Sequence, residues 1–223
     1  MNLMTLTMPI HVAAGTIALA AFWFAALASK GSRPHVLAGR AYLVAMLVII
    51  LSGIPLVARF AAEGAMVFAA FFGYLLLLVS FTCWTAWRAV RDKQRPERYT
   101  GPAYWLLLGL VACSGAVVVV LGLSRGSAIL AAFGAIGPLL GLGGMRIRRR
   151  IRNNRLWWLK EHFGAMIGNG VATHVAFMSI GLRSLVPGAD PAVLNYLAWF
   201  GPLSVALVAG WWLNRRYAGA AVR

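Results

Sequence analysis

AYWLLLGLVACSGAVVVVLGL, residues 103–123, runs for twenty-one positions without a charged side chain. A helix of that length rises about 30 Å, the thickness of bilayer hydrocarbon. The same criterion of about twenty mostly apolar residues finds six more segments on either side, at roughly 9–29, 38–59, 66–88, 127–143, 162–182 and 192–213. Composition agrees: 61% of the 223 residues are hydrophobic and 12% charged, against roughly half and a quarter in soluble domains. The expected fold is therefore all-α, a polytopic helical membrane protein with seven transmembrane helices. Short connections leave no room for a second folded domain, so residues 1–223 read as one helical transmembrane domain. The segment at 127–143 is short, glycine-rich and interrupted by Pro138, and is expected to be broken or to lie partly within the protein.

The net charge of +16 is distributed by topology. Lys30, Arg33 and Arg40 flank the first turn, and Arg88, Arg91, Lys93, Arg95 and Arg98 fill the third connection. Arg146, Arg148, Arg149, Arg150, Arg152, Arg155 and Lys160 fill the fifth, and Arg215, Arg216 and Arg223 close the chain. Eighteen of the twenty-one Lys and Arg thus fall on one side, leaving Arg59, Arg125 and Arg183 on the other. The positive-inside rule makes the basic side cytoplasmic, with the N-terminus outside and the C-terminus inside. Topology accounts for every basic cluster, so no nucleic-acid partner is expected; the expected partners are the lipid bilayer and anionic headgroups on its cytoplasmic side. No Lys or Arg precedes Lys30, so the first segment is expected to remain as a span and not act as a secretory signal. Cys83 and Cys113 lie inside spans without a Cys-x-x-Cys spacing and read as small packing residues. The run Asn153–Trp158 reads as an interfacial lead-in to the sixth span, its tryptophans at headgroup depth.

Against this apolar background four histidines stand out: His11, His35, His162 and His174. A titratable, metal-binding ring in hydrocarbon is a functional-site candidate. His11-Val-Ala-Ala-Gly15 and His35-Val-Leu-Ala-Gly39 open alike, while His162 and His174 share one segment. His11 falls near the outer end of span one and His35 near the inner end of span two. His162 lies at the inner end of span six, and His174 about 18 Å further out at 1.5 Å per residue. Two histidines at each of two depths, His11 with His174 and His35 with His162, suit two b-type haems with bis-imidazole ligation and hence transmembrane electron transfer. Gly15 and Gly39, one turn after a histidine on nearly the same face, would let a flat macrocycle approach the backbone, as would Gly164, Gly168 and Gly170. Arg40 would meet a propionate. Twelve residues turn a helix about 120° beyond whole turns, so His162 and His174 should not share a face. His35 precedes Arg40, which puts it at or outside the headgroup boundary, and Ser32 and Pro34 read as a helix start there.

The segment His35-Val-Leu-Ala-Gly39-Arg40-Ala-Tyr42 resembles a family of uncharacterised bacterial membrane proteins with a His-x-x-x-Gly-Arg-x-Tyr segment. That family is distantly similar to b-type cytochrome and ferric-reductase-like membrane domains. The resemblance covers roughly residues 8–90 and carries over His35, Gly39, Arg40 and Tyr42. It implies a multi-pass protein of the bacterial inner membrane. The segment Trp157-Trp158-Leu-Lys-Glu161-His162 departs from the family's histidine position soon after the third span.

Other chemistries lack their residues. An intramembrane metal hydrolase needs a carboxylate beside its histidines, yet Glu63, Asp92, Glu97, Glu161 and Asp190 all fall at connections or span ends. A retinal-type pump needs a lysine in the last span, which has none. A cofactor-free reading stays open: a transporter whose polar cavity is lined by Asn169 and Thr173, or an accessory structural subunit. In it, Gly164-x-x-x-Gly168 and Gly137-x-x-x-Gly141 would simply pack helices, and Glu161 would pair with a cytoplasmic Arg or Lys.

Overall fold

The computed structural model describes residues 3–218, with side chains placed for 6–217; Arg223 lies outside the described residues. The helices are α1 (Leu3–Leu27), α2 (Arg33–Ala62), α3 (Met66–Arg91), α4 (Pro96–Tyr99), α5 (Pro102–Ser124), α6 (Ala128–Met145), α7 (Ile147–Asn153), α8 (Trp157–Leu185) and α9 (Pro191–Ala218). Seven of them, all but α4 and α7, are long and apolar enough to cross a membrane. This is an all-helical integral membrane protein. Only a helix or a closed barrel satisfies every backbone amide inside hydrocarbon, and the span-length apolar runs select the helix.

The ends of the helices follow local chemistry. Ser32 caps α2, its side chain accepting from the His35 amide at 3.4 Å, with Pro34 in the first turn, as the Ser-x-Pro pattern predicts. Ser127 does the same for Leu130 at the start of α6. Gly31, Gly64 and Gly126 adopt φ of 79°, 76° and 63°, the left-handed conformation that lets a short link reverse the chain.

The chain divides into two compact units, Met1–Ser80 and Phe81–Arg223. In the first, α1 and α2 form an antiparallel hairpin whose buried residues are mostly alanines, including Ala14, Ala18 and Ala25 on α1 and Ala38 and Ala45 on α2. Small side chains let two backbones come close where lipid offers no hydrophobic drive for association. Tyr42, fully buried, packs on Phe22 with ring centroids 5.8 Å apart. At the far end Phe60 stacks on Phe68 and Phe72 at 5.9 and 5.5 Å.

In the second unit, α5 and α6 touch backbone to backbone. A Cβ built on Gly115 would stand 2.6 Å from the Gly134 carbonyl oxygen and 2.9 Å from Pro138 Cδ, and one on Gly134 would stand 2.8 Å from the Val119 nitrogen. Gly122 and Gly144 are as tightly placed, against Ala131 and Leu108. The expected break in the fifth span does not occur: α6 runs continuously from Ala128 to Met145 through Pro138. Pro138 cannot donate to the Gly134 carbonyl, which faces Gly115 of α5, 2.6 Å from where a Cβ would stand; Pro9, Pro55 and Pro202 likewise lie inside continuous helices. Gly137-x-x-x-Gly141 packs as expected, with Gly141 built out to 3.0 Å from Ala112 Cβ. Gly164-x-x-x-Gly168 does not: a Cβ on either would meet nothing within 4 Å, because these two glycines lie on an exposed face of α8.

The lead-in at 153–158 passes directly into the next long helix. Helix α8 begins at Trp157, and that ring is 4% exposed, 4.9 Å from Tyr99. It belongs to the core. Elsewhere tryptophan and cation pair at helix ends: Arg88 over Trp84, Arg91 over Trp87, Arg215 over Trp211 and Arg216 over Trp212, each four residues apart, with Lys93 over Trp158 and Arg148 over Trp105 at 5.1 and 5.4 Å.

Gly122→Ala should destabilise the protein by about 1–3 kcal/mol, the cost of forcing a methyl into a closed contact. Gly109→Ala, where a Cβ meets nothing within 4 Å, should be neutral or slightly stabilising. Unfolding by denaturant in detergent micelles measures both, and equal effects at the two positions would contradict the seam.

Candidate functional site

Each of the four histidines has its Nδ1 engaged. His11 Nδ1 lies 2.9 Å from Ser52 Oγ. That hydroxyl also lies 2.6 Å from the Val48 carbonyl and 3.2 Å from the Ile49 carbonyl; with its proton on either of them, Ser52 accepts from His11. His35 Nδ1 donates to the Ala25 carbonyl at 2.9 Å, His162 Nδ1 to the Ala86 carbonyl at 3.0 Å, and His174 Nδ1 to the Gly170 carbonyl of its own helix at 2.7 Å. A carbonyl only accepts, so a neutral His35, His162 or His174 carries its proton on Nδ1 and its lone pair on Nε2. Metal-ligating imidazoles are commonly held this way, one nitrogen donating to a carbonyl while the other faces the metal.

The same bonds also do structural work. The last carbonyls of α1 have no helical partner, and Ala25 O receives both His35 and the Lys30 ammonium, the latter at 3.1 Å, while Lys30 also reaches Ala26 O. Partial burial in this turn lowers the Lys30 pKa below the ordinary lysine value. His11 and His35 therefore join α1 to α2 near opposite ends of their hairpin, and His162 joins α8 to α3. Of the other nominated residues, Gly39 has open space where a Cβ would stand, Gly15 is half-buried, and Arg40 is exposed.

On α8, His162, Asn169 and Thr173 are spaced seven and four residues apart and so lie within about 20° of one face. His174 lies about 140° from Asn169. His162 and His174 thus take different faces, as their spacing predicts. Asn169 is fully buried, and Thr82 Oγ1 of α3 donates to its Oδ1 at 2.6 Å. Thr173 returns its hydroxyl to the Asn169 carbonyl at 3.1 Å. The Asn169 Nδ2 has no hydrogen-bond partner among the described residues. Thr82 and Ser52 are absent from the sequence-level candidates; the signal was a hydroxyl inside an apolar run.

At the α8 start, Glu161 pairs with Arg150 of α7, fulfilling the expected ion pair, and accepts from the Tyr99 hydroxyl at 3.1 Å. Tyr99 is fully buried beside Tyr104 and Trp157. Burial, followed by the Glu161 charge, raises its pKa far above the ordinary tyrosine value, and Arg150 offsets part of that. Arg88 binds Asp92 and the Arg98 carbonyl, so the α3–α4 link is tied as well.

Among the described residues no group of three or more His, Cys, Asp or Glu comes together to hold a metal ion. No protein family matches the chain, and no curated protein or solved structure is significantly similar to it.

A tyrosine whose folded pKa exceeds its unfolded value keeps its proton in the fold after the unfolded chain has lost it, so stability falls as pH rises above about 10. Tyr99→Phe should therefore lower stability at pH 8 yet flatten its decline between pH 9 and 11. Thermal unfolding of both proteins across that range tests this; parallel slopes would remove Tyr99 from the alkaline transition.

Proposed function

We propose that the protein is a b-type haem-binding carrier of electrons across the bacterial inner membrane, with its N-terminus outside and its C-terminus in the cytoplasm. The observation that carries the proposal is the shared setting of the four imidazoles, each with Nδ1 within 3.0 Å of an oxygen. That donor set fits an axial haem ligand. His11, His35, His162 and His174 would supply the axial ligands, and the chain's expected partners are the lipid bilayer and anionic headgroups. Gly15 and Gly39 would leave room for a macrocycle edge, and Arg40 would take a propionate. Bound haem would supply a one-electron couple. The protein's own part is to fix the tautomer and ring orientation through Ser52 and the carbonyls of Ala25, Ala86 and Gly170. The eighteen-to-three division of Lys and Arg supports the orientation, as do the Trp–Arg and Trp–Lys pairs at the basic ends.

The unpartnered amide of Asn169 favours a second reading, a cofactor-free carrier of a small polar solute. The visible spectrum of detergent-purified protein separates the two. A Soret band with α and β bands sharpened by dithionite is expected; their absence from protein expressed with haem supplied would end the haem proposal. His174→Ala should cost more of this absorbance than His35→Ala. His11→Ala should also lower haem absorbance, since loss of either axial ligand breaks bis-histidine ligation.

A further inference from the structure

Helix α7, Ile147–Asn153, is too short to cross a membrane and too basic to be buried. At about 100° per residue, Ile147, Arg150 and Ile151 fall on one side, and there Ile147 is fully buried and Arg150 reaches Glu161. Arg148, Arg149 and Arg152 occupy a 100° arc on the opposite side, and all three are exposed. None of them makes an ion pair among the described residues. Arg148 lies over the Trp105 ring at 5.4 Å, and α7 starts two residues after the end of span helix α6. Its outer face thus carries three exposed arginines, with Ile147 and the Arg150–Glu161 pair anchoring the helix from beneath.

We infer that this face is a binding site for the phosphate of an anionic phospholipid. Guanidinium groups match phosphate oxygens in planar, bidentate fashion, and a triad unpaired with carboxylates lacks its complement within the unit. The lipid is favoured over free phosphate by position: a span end and an interfacial tryptophan hold the triad where headgroup phosphates are concentrated. The inference requires only that the chain spans a bilayer and is independent of haem.

The test is native mass spectrometry of the delipidated full-length protein, titrated separately with phosphatidylglycerol, phosphatidylcholine and inorganic phosphate. Phosphatidylglycerol should bind on the order of tenfold more tightly than phosphatidylcholine. R148Q/R149Q/R152Q should lose that preference, while R95Q/R215Q/R216Q, which removes the same charge elsewhere, should keep it. Arg149 points most directly away from the Ile147 side, so the single variant R149Q guards against misfolding of the triple and should weaken phosphatidylglycerol binding about threefold. Equal loss in both triple variants, equal affinity for the two lipids, unaltered binding by R149Q, or displacement of phosphatidylglycerol by equimolar inorganic phosphate would each overturn the inference.

Discussion

Hydrocarbon offers a backbone amide no partner, and this one deficiency shapes the whole protein. Every long segment must close its hydrogen bonds within itself, so seven apolar runs become seven helices. Water cannot push apolar helices together there, so association depends on how closely backbones approach and on the few polar side chains available. Alanine on α1 and α2 and glycine on α5 and α6 serve the first need. Histidine, serine, threonine and asparagine serve the second, reaching backbone carbonyls or each other at about 3 Å.

The seven spans were legible because their signal is one-dimensional: length and apolarity can be read without knowing what touches what. Ser32 and Pro34 marked the start of α2 for a similar reason, since a cap acts within a few residues. Pro138 misled because a proline removes one hydrogen bond without ending a long apolar helix, as Pro9, Pro55 and Pro202 inside α1, α2 and α9 also show. The repeats Gly137-x-x-x-Gly141 and Gly164-x-x-x-Gly168 look alike in one dimension; only the first has a neighbour. That Tyr99 covers Trp157 left no trace in the run 153–158 itself.

The candidate site was half visible. Polar rings in apolar runs picked out His11, His35, His162 and His174, and helical spacing assigned the last two to different faces. What could not be read was the acceptor of each Nδ1, because three of the four come from another helix and three are backbone carbonyls, which every residue possesses. The tautomer is therefore a property of the packing. Asn169 was visible as a polar residue in a span, but its pairing with Thr82 spans 87 positions and left no periodic trace.

Four of the cations that lie over tryptophan rings sit one turn after the ring they cover, on α3 and α9. A guanidinium drawn back over an indole cannot extend freely toward water, so its charge is held at a fixed height relative to its helix. Both helices thus carry a rigid collar at the basic end and none of comparable charge at the other. Their vertical play in the bilayer is one-sided: sliding in the direction that would submerge the collar is opposed by desolvation of charge, while the apolar end can follow the thickness of whatever membrane surrounds it.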